Sequence, residues 1–414
     1  MDTAGDLLKR HVRSGSAIVV GQCAGEPETL VQALVDVRES LTGSSVYRGM
    51  SLTDIIRPEH SDHLRIVSSG ALGTNRRLAE AGVLDLLPLS VSEIPKRWRA
   101  GYARADVVLL QVCAHPRKGM ACLGVTCDYL PAAISAATVV IAEVNSSMPS
   151  TCGDTLIPWD RITARIETET PLRTFPTAEP RAEDLAIGAQ IAELVSDRAT
   201  VQIGVGRSGD AVLACLSGHR ELGIHTGLLN DAFASLIRSG VATGAYKTLD
   251  PGLAVTPVVA GTRSTYAFVE DNPAISMRSV EYTNDPRVTS QLQGFTAINF
   301  ALEVDLTGQV NSEQIGRRYV GAVGGAPDFV RAALAAPAGR SIIGLASMAR
   351  GRSRIVPKIE SSVVTTPRCD ADVVVTEWGK AELRDASLRQ RALRLAAISH
   401  PTVRDKLTAF AKAM

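Results

Sequence analysis

The sequence predicts an α/β protein of two domains, each built on a parallel sheet covered on both faces. Three observations lead there. Short β-rich runs alternate with helix-period runs along the chain, the pattern of strand–helix–strand crossovers. Runs such as "ADVVLLQVC" and "TVVIAEVN" are almost continuously apolar, as strands buried on both faces require. A chain of 414 residues also exceeds what one hydrophobic core ordinarily organises.

In the first half, Ser16–Gln22 reads as a strand, and Glu26-Pro27 opens the helix of "PETLVQALVDVRES". "LRIVSS" is the next strand, followed by a helix around Arg76–Ala81, the strand "DLLPLS" and a helix from Glu93 to Ala103. The strand "ADVVLLQVC", a helix around Pro131–Ala137 and the strand "TVVIAEVN" complete this half. The stretch Pro171–Ala186 holds three prolines and no apolar periodicity, so it reads as a linker. Domains are therefore expected at 1–180 and 181–414. The second half repeats the pattern, with strands expected at "TVQIGVG", "LGIHT", "LAVTPVVAG", "MRSVEYT", "AINFALEVDL", "SIIGLAS", "RIVPKI" and "ADVVVTEWG". Leu306-Thr307-Gly308-Gln309 reads as a hairpin or tight turn, and two helices, "SLRQRALRLAAIS" and "PTVRDKLTAFAK", end the chain. Ligand clefts are expected at the carboxyl ends of the strands and between the domains.

Composition narrows the function. A net charge of +1 argues against a surface built for nucleic acid or anionic lipid. No run approaches the roughly 18 apolar residues of a membrane span, and the early acids Asp2 and Asp6 do not suit a secretory signal. Seven scattered cysteines, without paired spacing, point to a reducing cytoplasm. Cys122 and Cys127 lack a matching pair for a zinc site, and no metal is expected.

The stretch Gly204-Val205-Gly206-Arg207-Ser208-Gly209 matches G-x-G-x-x-G between a strand and a helix. Alone it suggests a dinucleotide fold with phosphate at the helix N-terminus. That fingerprint needs an acid at the end of the next strand, where the sequence has His225-Thr226-Gly227. A tight turn without a ligand explains the glycines equally well.

The stretches "GQCAGEPETLVQAL", "ADVVLLQVCAHPRKGMACLGV", "VVIAEVNSSMPSTCGDTLI", "GIHTGLLND", "YTNDPRV", "INFALEVDLTGQVNSEQIG", "GAVGGAPDFVRAA", "SRIVP", "VVVTEWGKAELRDASLRQRA" and "ISHPTVRDKL" follow one another in this order. Together they resemble the acetyl-CoA hydrolase/transferase family, the coenzyme A transferases that include 4-hydroxybutyrate and butyrate:acetate CoA-transferases. The resemblance covers nearly the whole chain. It implies two homologous open α/β domains of the CoA-transferase type, acyl-CoA as substrate and a homo-oligomer. It also implies a glutamate nucleophile, in a motif like His-Thr-Glu, that passes through a glutamyl-CoA thioester. Here that position is Gly227. The family's Gly-Gly-Gln loop becomes Gly324-Gly325-Ala326, and a Ser-Pro-Pro-Asp-like loop becomes Cys113-Ala114-His115-Pro116.

The remaining candidates are weighed against plainer roles. Asn284 matches a family asparagine that donates to the thioester carbonyl oxygen; the alternative is an Asx-turn into Pro286. Gly204, Gly206, Gly227, Gly324 and Gly325 are the expected substrate and CoA contacts, and Gly324-Gly325 can equally be a helix-entry turn. His225 is a candidate general base, or a strand-end histidine that fixes the turn. Cys113 and His115 form a possible thiol–imidazole pair, with a buried strand-end cysteine as the plainer reading. Glu303 and Asp305 read as structural acids. The expected function is an acyl thioester enzyme that hydrolyses its substrate or transfers the acyl group directly to an unknown acceptor. Alternatives are CoA transfer to a carboxylate through another nucleophile, a non-catalytic thioester-binding protein, and nicotinamide-dependent redox chemistry.

Overall fold

The computed structural model describes residues 3–115, 119–175, 177, 179–361 and 363–414. Pro116 of the Cys113–Pro116 loop, and Pro176 and Ala178 of the expected linker, lie outside the described residues. The chain forms two compact units: Met1–Pro176 with Val255–Thr283 and Arg318–Gly324, and Thr177–Ala254 with Asn284–Arg317 and Gly325–Met414. The units are thus discontinuous in sequence, whereas the expected division was a single point at residue 180.

The first unit holds a seven-stranded sheet. Its strands are β1 (Ala17–Val20), β2 (Ser44–Arg48), β3 (Leu64–Ser68), β4 (Leu84–Leu86), β5 (Val107–Cys113), β6 (Val139–Asn145) and β7 (Ala164–Thr168). The order is β4-β3-β2-β1-β5-β6-β7, and every neighbouring pair is parallel. All seven residues of β5 are buried, apolar but for Gln111, whose amide donates to the Glu26 carbonyl. Leu30, Leu34, Val46, Ile66, Leu109 and Ile141 belong to the core on one face.

Sequence reasoning missed β2 and β7. Strand β7 is an edge with alternating partial burial, so it shows no apolar run. Strand β2 ends in Arg48, which is 1 % exposed and ion-paired to Glu26 at 3.0 Å. Burying a guanidinium requires such a partner, and composition alone does not announce it. The expected strand "MRSVEYT" is a correction. Ile275–Met277 is a strand, but Val280–Thr283 is a helical turn, with the Thr283 N–H donating to the Ser279 carbonyl at 2.9 Å. Ile275–Met277 pairs with Ala254–Thr256 in a separate two-stranded sheet; Pro257 follows the latter at once and cannot extend the ladder.

The second unit holds a six-stranded sheet of β8 (Thr200–Ile203), β9 (Gly223–Ile224), β10 (Phe295–Phe300), β11 (Arg340–Gly344), β12 (Val373–Thr376) and β13 (Gly379–Glu382). Its order is β9-β8-β10-β11-β12-β13; only β13 runs antiparallel to its neighbour. "AINFALEVDL" divides into β10 and a second strand, Glu303–Asp305. The latter pairs antiparallel with Val310–Asn311, the hairpin expected at Leu306–Gln309. Asp305 organises that turn by accepting from the Thr307 N–H at 2.9 Å and the Gln309 amide at 2.8 Å. Glu303 accepts from Asn311 and Ser361, so both acids have structural partners.

Candidate functional site

The candidate residues of the second unit gather at the carboxyl ends of its strands. Strand β8 leads into Gly204, β9 into His225-Thr226-Gly227, and Asn284 precedes the short helix Pro286–Thr289. Gly325 is the N-cap of the helix Ala326–Ala335. This is the end of a parallel sheet at which ligands ordinarily bind.

The glycine turn has a backbone explanation. Gly206 caps the helix Arg207–Cys215 with φ of 122°, a conformation that disfavours any side chain. A Cβ on Gly209 would strike the Gly204 carbonyl oxygen, so the third glycine lets strand and helix pack. Gly204 itself has room: a Cβ there would meet Phe300 at 3.5 Å and Asn299 at 3.6 Å. Gly206 and Gly209 therefore build a tight strand-to-helix turn without reference to a ligand, a turn that does not itself require glycine at 204.

Gly227 differs from Gly206. It is absent from the residues of positive φ, and a Cβ there would meet only Phe329, at 3.5 and 3.9 Å. Both distances are ordinary van der Waals contacts. The fold therefore does not demand glycine at this position. Beside it, the Thr226 side chain is fully buried, and its hydroxyl has no hydrogen-bond partner among the described residues. Asn230 caps the next helix through the Phe233 N–H at 3.3 Å and donates to Asp210 at 2.7 Å. That contact ties the segment after β9 to the helix Arg207–Cys215.

Phe329 brings Gly227 and Gly325 together. It lies four residues into the helix from its Gly325 cap, and its N–H donates to the Gly325 carbonyl at 3.1 Å. A Cβ on Gly325 would lie 3.2 Å from the Phe329 ring and 2.5 Å from the Asn284 amide nitrogen. The absent side chain at 325 is thus the space that seats the Asn284 amide. Asn284 is 2 % exposed, and its Oδ1 has no partner among the described residues. Local capping is done instead by Asp285, which accepts from the Arg287 N–H at 2.9 Å. The amide next to a ten-residue helix N-terminus is a suitable place for a developing oxyanion.

His225 is fully buried and packs edge-on against Phe295, with ring centroids 6.4 Å apart. Gly324 falls in the first unit; its φ is +62° and its carbonyl accepts from the Val91 N–H at 3.0 Å. The Cys113 thiol donates to the His115 carbonyl oxygen at 2.9 Å, so it meets the backbone of His115 and not the imidazole. Sequence reasoning passed over Phe329 as a site residue. Its spacing of four from Gly325, one helical turn, was the available signal. The cavity of about 310 Å³ lined by Arg198, Tyr246, Gly294 and Arg340 lies at the strands' amino ends, away from these groups.

Models of the acetyl-CoA hydrolase/transferase N-terminal and C-terminal domains match residues 4–173 and 261–411. The chain belongs to the acetyl-CoA hydrolase/transferase family. It is 36% identical to the 4-hydroxybutyrate coenzyme A transferase of Clostridium kluyveri, over 96% of this chain and 94% of that one. RipA from Yersinia pestis shares 34% identity with a TM-score of 0.93, over 100% of this chain and 97% of the other. The 4-hydroxybutyrate CoA-transferase structure from Porphyromonas gingivalis shares 34% identity with a TM-score of 0.85, at the same coverage. Among the described residues, no group of three or more His, Cys, Asp or Glu could hold a metal. No described helix is long and apolar enough to cross a membrane.

Proposed function

We propose that this protein acts on an acyl-CoA, or another acyl thioester, by hydrolysis or direct acyl transfer, without a glutamyl-CoA intermediate. The observation that carries the reading is that neither φ nor crowding calls for glycine at Gly227, the position at which the family resemblance puts the nucleophile. The acceptor, water or another nucleophile, occupies the volume beside the Phe329 ring and attacks the thioester carbonyl. The C–S bond then breaks and CoA leaves as the thiolate. Asn284 and the helix N-terminus at Gly325 stabilise the oxyanion, and holding acceptor and thioester in contact replaces covalent catalysis.

The test is release of free thiol from a panel of acyl-CoAs, with and without amine, alcohol and carboxylate acceptors. Thiol release without any covalent acyl or CoA adduct is the expected result. A glutamyl or cysteinyl adduct trapped on the wild-type chain would refute the reading and establish a relocated nucleophile. No turnover with any substrate would leave a thioester-binding protein. In Gly227→Glu, by contrast, a borohydride-reducible glutamyl-CoA adduct should appear, because His225, Thr226 and Asp231 still frame the position.

A further inference from the structure

We propose that the first unit carries a binding site for a small zwitterion, a molecule with a carboxylate and an ammonium group at the two ends of a short apolar spacer. A cavity of about 460 Å³ opens at the carboxyl ends of β6 and β7, and all its lining residues belong to the first unit. Residues 146–149 after β6 form one wall and residues 171–172 after β7 a second; the third is the helix Arg263–Val269 with Glu270 at its end. The walls are tied to one another. Tyr266 Oη donates to the Arg173 carbonyl at 2.6 Å, the Asp271 N–H donates to the Ser150 carbonyl at 2.8 Å, and Ser150 Oγ donates to the Asp271 carboxylate at 3.1 Å. The cavity is therefore formed before any ligand arrives, which spares binding an ordering cost.

The helix decides what the ligand carries. Arg263, Tyr266, Ala267 and Glu270 follow the i, i+3, i+4, i+7 spacing of one helix face, and all four line the cavity. A guanidinium thus stands at one end of the face and a carboxylate at the other, with roughly 10 Å of helix rise between them. Among the described residues, neither side chain has a hydrogen-bond or ion-pair partner. The helix macrodipole favours the reverse order, an acid at the start and a base at the end, so helix stability does not account for these charges. The lining between them is largely apolar, with Met148, Pro149 and Tyr266 buried in the walls. A ligand that fits brings its carboxylate to Arg263, which can take it through two parallel N–H bonds. Its ammonium goes to Glu270, and its spacer crosses Tyr266 and Met148. A molecule with a single charge leaves one end of the cavity unmet.

Isothermal titration calorimetry of the intact chain with ε-aminocaproate tests this, with caproate and hexylamine as single-charge probes. The expected result is saturable binding of ε-aminocaproate, about fivefold tighter than either single-charge probe, the factor that a solvent-exposed ion pair can supply. Arg263→Gln should remove its advantage over hexylamine, and Glu270→Gln its advantage over caproate. Both positions are exposed, so each variant should keep the wild-type melting temperature. The double exchange Arg263→Glu with Glu270→Arg should restore the tighter binding, with the ligand reversed in the cavity. Equal affinity for the three probes, or an affinity that neither single substitution alters, would overturn the proposal. So would the absence of saturable binding up to the solubility limit of ε-aminocaproate.

Discussion

Alanine at Gly227 and at Gly325 should move stability in opposite directions. At Gly227 the backbone is outside the left-handed region, and a methyl group would meet nothing nearer than the Phe329 ring at 3.5 Å. Replacing glycine at such a site restricts the unfolded chain and stabilises the fold by about 0.4–1 kcal/mol. At Gly325 the methyl carbon would sit 2.5 Å from the Asn284 amide nitrogen and 3.2 Å from Phe329. Asn284 is buried and its side chain is short, so it cannot swing into solvent. Overpacking of this kind costs roughly 1–3 kcal/mol. For a unit of this size, 1 kcal/mol moves the melting midpoint by about 2–4 °C. Differential scanning fluorimetry of both variants at one pH and concentration should therefore show Gly227→Ala at or slightly above the wild type and Gly325→Ala several degrees below it. A loss at Gly227→Ala as large as that at Gly325→Ala would mean that the fold itself demands glycine there. Position 227 would then be glycine for the backbone's sake and not to leave a volume free.

Asn284→Ala should slow thiol release by about 10²–10³-fold with little change in melting temperature, as for an oxyanion donor; an unchanged rate would make Asn284 structural. Arg48→Ala should leave Glu26 charged and unpaired in the interior, costing about 3–5 kcal/mol in denaturant unfolding; a cost under about 1 kcal/mol would show that Glu26 is already neutral. Burial raises Asp128 from 3.8 to about 7, so the folded chain binds this proton more tightly than the unfolded one. The stability it confers is full below pH 3.8 and is lost as pH rises to about 7, with an upper bound of about 4 kcal/mol. The stability difference between wild type and Asp128→Asn should follow that slope, and a flat difference across the window would refute the burial assignment.

The parts of the fold legible in the sequence were those where one physical demand dominated. Strands β5 and β6 are buried on both faces and can contain little but apolar side chains, so they are visible in any window. Strand β7 has one free edge and tolerates Arg165 and Glu167 in exposed positions, which hides it. Strand β2 was hidden by Arg48, acceptable there only because Glu26 comes from a distant turn to meet it. The site divides in the same way. The individual glycines and Asn284 could be named from the chain, but their mutual contacts could not. Positions 227, 284, 325 and 329 meet through the crossovers of the second sheet and one helical turn. At Cys113 the plainer reading holds: it is a buried cysteine that ends β5, and its thiol reaches the His115 backbone rather than the imidazole.

A glycine is informative about chemistry only when the backbone has no use for it. Gly206, Gly209 and Gly325 each answer to the backbone or to a neighbour, through positive φ, a carbonyl contact and the Asn284 amide respectively. Their identity follows from packing and would be the same whatever reaction the protein performs. Gly227 has none of these constraints, yet the structure around it is elaborate. The Asn230–Asp210 bond fixes the following turn, His225 is clamped on Phe295, and Phe329 forms a wall. A Cβ at this position fits beside Phe329 without strain, so packing does not decide the residue. The proposed direct attack needs an unfilled volume at Gly227, which makes size the property under test. Gly227→Ala should then retain much of the turnover and Gly227→Leu should lose it, with both variants folded and acyl-CoA affinity nearly unchanged. Equal activity in Ala and Leu would show that the acceptor never enters this space.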